Sequence, residues 1–401
     1  MKKIIIILFA TFFLTGCWSS KELNEIAIVN AIGIDLKDDE YVVSAQVMNP
    51  KKESAGTKGD QTDSIVYTGR GKSILESLRN ITLEAPKRLN VSHLELLIIN
   101  EDAARKGVDK IADQFLRESE TRNECILLVT EDDQKAADIL GIMTPLELYP
   151  SQNILESIEI SKKYQGTTTN TRFDEFTEEI LKPGISPVTS SVKVVNKKKS
   201  GYTKENLEQA KTTTYVKLGK IALFRDYKLK GFLSDDESFY FNLVDNNNKN
   251  GVLNIPCDDT KNSSMTIEII QSKAKIDSKI TEDEINGTVK ISMTANLAEV
   301  QCKEDVSGNK SLHDIEIETQ KFINKKVKNT IKKTQKYQTD VFGFGKNLYQ
   351  NDYRNFEPLL KKWDTKYYPE MKINVKTEVN LIDTGNLVDS VKGASDDKKQ
   401  N

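Results

Sequence analysis

Histidine is nearly absent from this 401-residue sequence, which contains only His93 and His313. Histidine is the commonest general base in enzymes, and neither residue stands in a motif that would supply a catalytic partner. Nucleophile-elbow, zinc-protease and phosphate-loop motifs are absent as well. Both histidines are therefore expected at the surface or at a helix end. The sequence predicts a non-enzymatic protein without a cofactor.

Cysteine is scarce, and charge of one sign does not dominate. Without a Cys-x-x-Cys pair, the four cysteines do not predict a metal site. Cys125 precedes the apolar run Ile126–Leu128 and is expected in a core, whereas Cys257 and Cys302 could pair in an exported protein. Lys and Arg number 58 against 60 Asp and Glu, so that no overall charge favours nucleic acid as a partner.

Long hydrophobic runs are missing after the first sixteen residues. Lys2 and Lys3 precede the apolar run Ile4–Leu14, which has the form of an export signal and is too short to span a bilayer. Leu14-Thr15-Gly16-Cys17 follows and resembles the lipobox of bacterial lipoproteins. That resemblance implies a signal peptide over residues 1–16 and a lipid on Cys17, which would anchor the chain to the extracytoplasmic face of a membrane.

The remaining sequence alternates strand and helix patterns, which predicts an α+β protein of three mixed α/β domains, each a β-sheet covered by helices. A polar stretch with the lysine run Lys197–Lys199 is the clearest boundary. The predicted division is an N-terminal α+β domain (17–195), a linker (196–214), a strand-rich middle domain (215–300), a C-terminal α+β domain (301–391) and a disordered tail (392–401).

Several elements are predicted from local patterns. Ile26–Leu36 and Tyr41–Met48 flank a polar turn and predict a hairpin, as do Val216–Phe224 and Tyr227–Leu233. From Asp314 to Gln338 the apolar residues recur at helical spacing, which predicts a helix with one buried stripe. Its other faces carry lysines. They suit a solvated surface better than the alternative, which is contact with anionic lipid or an acidic partner.

Phe342-Gly343-Phe344-Gly345 contains two of the glycines of a dinucleotide-binding loop. Leu348 stands where the third glycine would be, and no strand precedes the motif. A packed aromatic turn is favoured, in which the phenylalanines fill a core and the glycines permit a tight backbone.

Two separated motifs resemble the Ger(x)C family, the C subunits of nutrient germinant receptors of endospore-forming bacteria. One runs from Cys17-Trp18 through Gly33-Ile34-Asp35 to Asn49-Pro50, and the other runs from Asp340 to Gly345 and on to Trp363. Ser19 departs from the family, which often has an acidic residue there. The motif positions, whose role would be structural or in partner contact, are Trp18, Glu22, Leu23, Gly33, Asp35, Gln46, Asn49, Pro50, Phe342, Gly343, Phe344, Gly345 and Trp363.

The resemblance implies a lipid-anchored protein at the outer face of the inner spore membrane, in complex with a membrane-embedded A subunit and a transporter-like B subunit. The family's C subunit has no agreed catalytic site. Our hypothesis for this subunit is a scaffold in receptor assembly and signalling, because permanent anchoring near the membrane raises the effective concentration for docking. The alternative is a solute-binding lipoprotein that captures the germinant itself. That class usually has two similar α/β lobes around a cleft, which the dissimilar halves of this sequence do not favour.

Overall fold

Two β-sheets with helices packed against them form the described part of the chain. The computed structural model describes residues 25–49, 62–118, 123–247, 250–256, 264–281, 284–301 and 309–383. The predicted α+β class is confirmed, with two sheets in place of three. The predicted signal peptide, Cys17, Cys257, Cys302 and the predicted tail lie outside the described residues.

The first sheet has the strand order β3-β2-β1-β5-β6-β7-β8-β9, and β4 pairs with the first residues of β1. Neighbours among β1, β5, β6 and β7 are parallel, and the outer pairs are antiparallel. Its strands are β1 (Ile26–Lys37), β2 (Glu40–Met48), β3 (Ser64–Gly71), β4 (Arg88–Asn90), β5 (Leu96–Ile99), β6 (Ile126–Thr130), β7 (Val188–Val195), β8 (Tyr215–Arg225) and β9 (Lys228–Phe232).

Helices cover both faces of the first sheet, so that each face buries its own apolar core. These α-helices are α1 (Ile74–Asn80), α2 (Glu101–Lys106), α3 (Asp109–Arg117), α4 (Ala136–Gly141), α5 (Pro150–Tyr164) and α6 (Phe173–Leu181). Short 3₁₀ helices span Ile81–Leu83, Lys199–Tyr202 and Lys204–Asn206.

Turn chemistry explains the predicted hairpin of β1 and β2. Asp38 and Asp39 adopt positive φ angles of 52° and 63°, which suits the two central residues of a tight hairpin turn. Lys37 and Glu40 are paired on either side of them. Aspartate tolerates this left-handed region better than most residues, and the predicted hairpin is confirmed.

The second sheet has the order β10-β11-β12-β13, and its parallel pair β12–β13 is connected through helices. Its elements are β10 (Gly251–Pro256), β11 (Ser264–Ile280), β12 (Ile285–Val300) and β13 (Lys372–Asp383), with α7 (Asp235–Val244), α8 (Asn309–Tyr337), α9 (Phe344–Asn351), α10 (Tyr353–Phe356), a 3₁₀ helix (Glu357–Lys362), a π-helical turn (Trp363–Tyr367) and α11 (Tyr368–Glu370). The predicted apolar stripe of α8 is confirmed, since Ile323, Val327 and Ile331 are buried.

The structure divides the chain differently from the sequence expectation. β8 and β9 were expected in a middle domain, yet β8 pairs with β7 of the first sheet. The predicted middle and C-terminal domains share one sheet, because β12 pairs with β13. Strand patterns reveal which residues are extended, but they do not specify which strand each one pairs with.

Residues 196–214 are largely exposed, as their polar composition suggested, but parts of the segment pack against the fold. Asn206 and Thr214 are completely buried. The Asn206 amide donates to the backbone carbonyls of Met143 and Thr214, at 2.9 Å each. Because a short polar side chain can satisfy buried backbone groups, a polar segment can pack against the fold.

Candidate functional site

The motif residues near the C-terminus surround the carboxylate of Asp340, which is completely buried. Its Oδ1 accepts hydrogen bonds from the backbone N–H of Gly343 at 2.9 Å and of Phe344 at 3.1 Å. Its Oδ2 accepts from the N–H of Gly345 at 2.7 Å and from the indole N–H of Trp363 at 2.8 Å. One carboxylate therefore holds both the turn and the indole. We call these five residues the Asp340 cluster.

Burial raises the pKa of the Asp340 carboxyl to about 7. The hydrogen bonds from Gly345 and Trp363 lower this pKa, but burial has the larger effect. A second carboxylate, that of Asp364, accepts from the Asp340 N–H at 3.3 Å and from the Ser186 hydroxyl at 3.5 Å. Burial raises the pKa of Asp364 to about 6. The negative charge of Asp364 in turn favours the protonated form of Asp340.

Two glycines of the cluster are required for different reasons. Gly343 has a φ of +75°, a conformation in which a side chain is strained. A Cβ on Gly345 would lie 2.5 Å from Trp363 Nε1 and 2.8 Å from the Cα of Gly184. The first glycine therefore permits the turn, and the second permits close packing.

The Asp340 cluster joins the two sheets. The backbone N–H of Ser186 donates to the Asp340 carbonyl at 2.9 Å, and the N–H of Lys346 donates to the Gly184 carbonyl at 2.7 Å. Gly184 and Ser186 lead directly into β7 of the first sheet. The cluster therefore fixes the start of that strand against the helical connection that follows α8.

The aromatic residues of the motif fill a core, as the packed-turn interpretation predicted. Phe342, Phe344 and Trp363 are buried, and the rings of Phe356 and Trp363 meet edge to face with centroids 5.0 Å apart. The three N–H groups of Gly343-Phe344-Gly345 already donate to Asp340. A phosphate bound at this turn would therefore have to displace a carboxylate from them.

The N-terminal motif positions converge on helix α4. Asp35 Oδ1 accepts from the N–H of Ala136 at 2.8 Å, and Gln46 Nε2 donates to the carbonyl of Leu140 at 2.8 Å. A Cβ on Gly33 would lie 2.9 Å from the Ala136 Cβ. Burial raises the pKa of Asp35 to about 6, against the backbone hydrogen bonds, which lower it. Three residues from the first hairpin thus position one short helix.

Asn49 is the last described residue before the gap at 50–61, and its amide donates to the carbonyl of Thr62 at 3.0 Å across that gap. This contact joins the two described residues that flank the gap. The remaining N-terminal motif positions, Trp18, Glu22, Leu23 and Pro50, lie outside the described residues.

Two buried carboxylates could not be singled out from the sequence. Asp340 opens the second motif but was not among its predicted positions. Glu131 follows β6, and its Oε2 accepts from the ammonium groups of Lys220 at 2.8 Å and Lys193 at 3.2 Å. Burial alone would raise the pKa of Glu131, but hydrogen bonds from Lys220, Ser191 and Lys193 hold it below its usual range. A strand followed by an acidic residue is too common a pattern to have marked Glu131.

The two histidines and Cys125 lie where the sequence predicts them, at the surface and in a core. His93 and His313 are exposed, and Cys125 is buried in the core of the first sheet, as predicted. Burial raises the pKa of the Cys125 thiol to about 12, so that its reactive thiolate is disfavoured. Among the described residues there is no cluster of three or more His, Cys, Asp or Glu that could bind a metal. No helix in the described ranges is long and apolar enough to cross a membrane.

The predicted lysine face of α8 is exposed at Lys321, Lys325, Lys328, Lys332 and Lys336. In the polar segment after β7, Lys197 pairs with Asp138, whose carboxylate also accepts from the Tyr202 hydroxyl at 3.2 Å. This ion pair helps to hold the segment against the fold.

The polar groups of these motif residues and of the carboxylates Asp35, Glu131 and Asp340 make hydrogen bonds within the chain itself. Their geometry defines an α+β protein in which these residues hold secondary-structure elements together. Comparison with known proteins identifies the family.

Two family models match successive parts of the chain. "Spore germination protein N-terminal domain" matches residues 19–194, and "Spore germination B3/GerAC like, C-terminal" matches residues 219–385. The chain belongs to the Ger(x)C family of spore germination proteins.

Two relatives from Bacillus subtilis (strain 168) are similar along nearly their whole length. Spore germination protein KC is 28% identical over 95% of this chain and 95% of its own. Spore germination protein B3 is 25% identical over 92% of this chain and 96% of its own. Neither of these relatives carries the name of an enzyme.

A solved structure described as the crystal structure of the GerBC protein has the same fold. It aligns with a TM-score of 0.55 and 19% sequence identity, covering 88% of this chain and 96% of that one. The overall fold is thus shared at low sequence identity.

Proposed function

We propose that this chain is the lipid-anchored C subunit of a nutrient germinant receptor and that it acts without catalysis in receptor assembly and signalling. Its partners are the membrane-embedded A and B subunits. It resides on the extracytoplasmic face of the inner spore membrane, held by lipid on Cys17.

The observation that carries this proposal is the match of both family models, in order, to the two halves of the chain. The lipobox-like sequence before Cys17 supports the anchor. A permanently anchored protein is confined near its membrane partners, which raises its effective concentration for docking. The Asp340 cluster supports a scaffold role, because it couples the two sheets through buried hydrogen bonds.

Spores carrying Cys17→Ala test the anchor and the function together. The matched control is Ser19→Ala, a change two residues away that leaves the lipobox-like sequence intact. The host strain should lack its other nutrient receptors, so that they cannot mask a defect. Germination by nutrients and by a trigger that bypasses the receptors is followed, together with the membrane levels of the A and B subunits.

We expect Cys17→Ala to abolish or strongly reduce nutrient germination while the bypass trigger still works, and Ser19→Ala to behave as the parent. A simultaneous fall in A and B subunit levels would indicate a role in assembly, and unchanged levels a role in signalling. Normal nutrient germination of Cys17→Ala spores would contradict the proposed anchored function.

A further inference from the structure

Four exposed aliphatic residues line one open cleft of about 430 Å³ on the first sheet. Leu146 and Leu148 are 86% and 63% exposed, and Ile65 and Leu207 are about 40% exposed. We call Ile65, Leu146, Leu148 and Leu207 the leucine patch. Single exposed leucines are ordinary on protein surfaces, but a contiguous apolar group marks a contact surface.

The backbone of the loop that carries Leu146 and Leu148 is restricted, which holds both side chains at the surface. Pro145 and Pro150 restrict the backbone on either side of the leucines. Glu147, between them, hydrogen bonds to Glu156 of α5, and this neighbour raises the pKa of Glu147. The acidic side chain is thus directed to the helix.

The leucine patch lies at the end of the sheet where β1 begins. Asn30, near the start of β1, donates to the hydroxyl of Ser151 at 3.0 Å, and Ser151 comes three residues after Leu148. Ile65 is the second residue of β3 and pairs with Val47, which in turn pairs with Val29. Both contacts place the patch beside the first residues of β1.

If Cys17 carries the lipid, this location keeps the patch near the membrane. The inference therefore rests on the proposed function. Only residues 18–25 separate Cys17 from β1. At about 3.4 Å per residue, this segment reaches roughly 27 Å when fully extended. A globular unit of roughly 200 residues is about 40 Å across. The end of the sheet that bears the patch is therefore held closer to the bilayer than the opposite end.

We propose that the leucine patch inserts into the lipid–water interface of the membrane that carries the N-terminal lipid. Aliphatic side chains gain free energy when they leave water for the acyl boundary. The patch would then act as a second contact beside the lipid, which sets the orientation of the first sheet on the membrane.

Tryptophan fluorescence in vesicles tests this orientation on the full lipidated chain. Trp18→Phe removes the native indole next to the lipid, and buried Trp363 stays as a constant background. On that background Leu146→Trp reports on the patch. Leu181→Trp is the matched control, because Leu181 is 75% exposed at the end of α6, outside the patch. The vesicles contain phosphatidylcholine and phosphatidylglycerol, with or without brominated acyl chains.

We expect a blue shift and a loss of emission with brominated lipid for Leu146→Trp, and neither change for Leu181→Trp. Vesicle flotation is measured on the same samples. If the protein floats but Leu146→Trp is quenched no more than Leu181→Trp, the patch proposal is wrong while the anchor stands. The measurement is repeated on vesicles that also contain the A and B subunits. The patch proposal is equally wrong if the Leu146→Trp shift appears only there, since the patch would then bind protein. If the chain expressed with its own N-terminal sequence carries no lipid on Cys17 and does not float with the vesicles, the proposed anchor is wrong. The patch proposal then falls with it.

Discussion

The indole N–H of Trp363 donates to Oδ2 of Asp340 at 2.8 Å, and both side chains are buried where the two sheets meet. The same oxygen also accepts from the N–H of Gly345. This arrangement makes the carboxylate the centre of four hydrogen bonds. Removal of any one partner leaves a buried polar group with fewer bonds, which is costly.

A double-mutant cycle on Asp340 and Trp363 measures their coupling. Trp363→Phe removes one donor to a carboxylate, and Asp340→Asn places an NH₂ group against N–H donors. We expect each change to lower the free energy of unfolding by about 1–3 kcal/mol. The double variant should be less destabilised than the sum of the two. Asp277→Asn, at an exposed position of β11, is the control and should be near neutral. Strict additivity would contradict the coupling.

The stability of the protein should depend on pH through Asp340. Burial raises its pKa to about 7 in the folded state, whereas an unfolded aspartate titrates near about 3.9. The folded state therefore binds the extra proton between these values, and stability falls as pH rises through that window. Asp340→Asn removes this titration. The stability advantage of the parent over Asp340→Asn should be largest near about pH 4 and should shrink towards about pH 8, measured by denaturant unfolding. If the stability advantage of the parent over Asp340→Asn instead grew with pH, the hydrogen bonds to Asp340 would lower its pKa by more than burial raises it.

Alanine at the two motif glycines should have unequal effects. Gly343→Ala meets its nearest heavy atom at 3.4 Å, so that its cost is the positive φ, about 1–2 kcal/mol. Gly345→Ala places a Cβ 2.5 Å from Trp363 Nε1 and must also shift the indole from Asp340. We expect a larger loss of unfolding free energy for Gly345→Ala and an altered near-ultraviolet signal of Trp363. Equal losses of unfolding free energy in the two variants would show that the packing around Gly345 can relax to accept a methyl group.

Asp35 should support helix α4, which lies 101 residues further along the chain. Asp35→Ala removes the acceptor of the Ala136 N–H, and loss of such a cap costs about 1–2 kcal/mol. The N–H of Ala137 also donates to Asp35, at 3.3 Å. Hydrogen exchange should become faster at Ala136 and Ala137, and Asp277→Ala should leave both amides protected. Unchanged exchange in Asp35→Ala would show that neighbouring packing alone holds the helix.

Local elements were predictable because their signals are local. The turn at Asp38 and Asp39, the apolar stripe of α8 and the apolar run after Cys125 each depend on residues within one or two turns or strands. Such patterns specify which face of an element is apolar, and they do so independently of the element that packs against that face. The motif residues could likewise be picked out, but what they contact could not.

By itself, the sequence determined the α+β class, the β1–β2 hairpin, the buried face of α8 and, through two separated motifs, the family. Only the tertiary structure decided that β8 joins the first sheet, that parts of the segment 196–214 pack against the fold, and that Asp340 and Asp35 serve as acceptors for distant backbone groups. Strand pairing and buried hydrogen bonds join residues that are remote in sequence. Their energies depend on burial and geometry that exist only once the chain has folded.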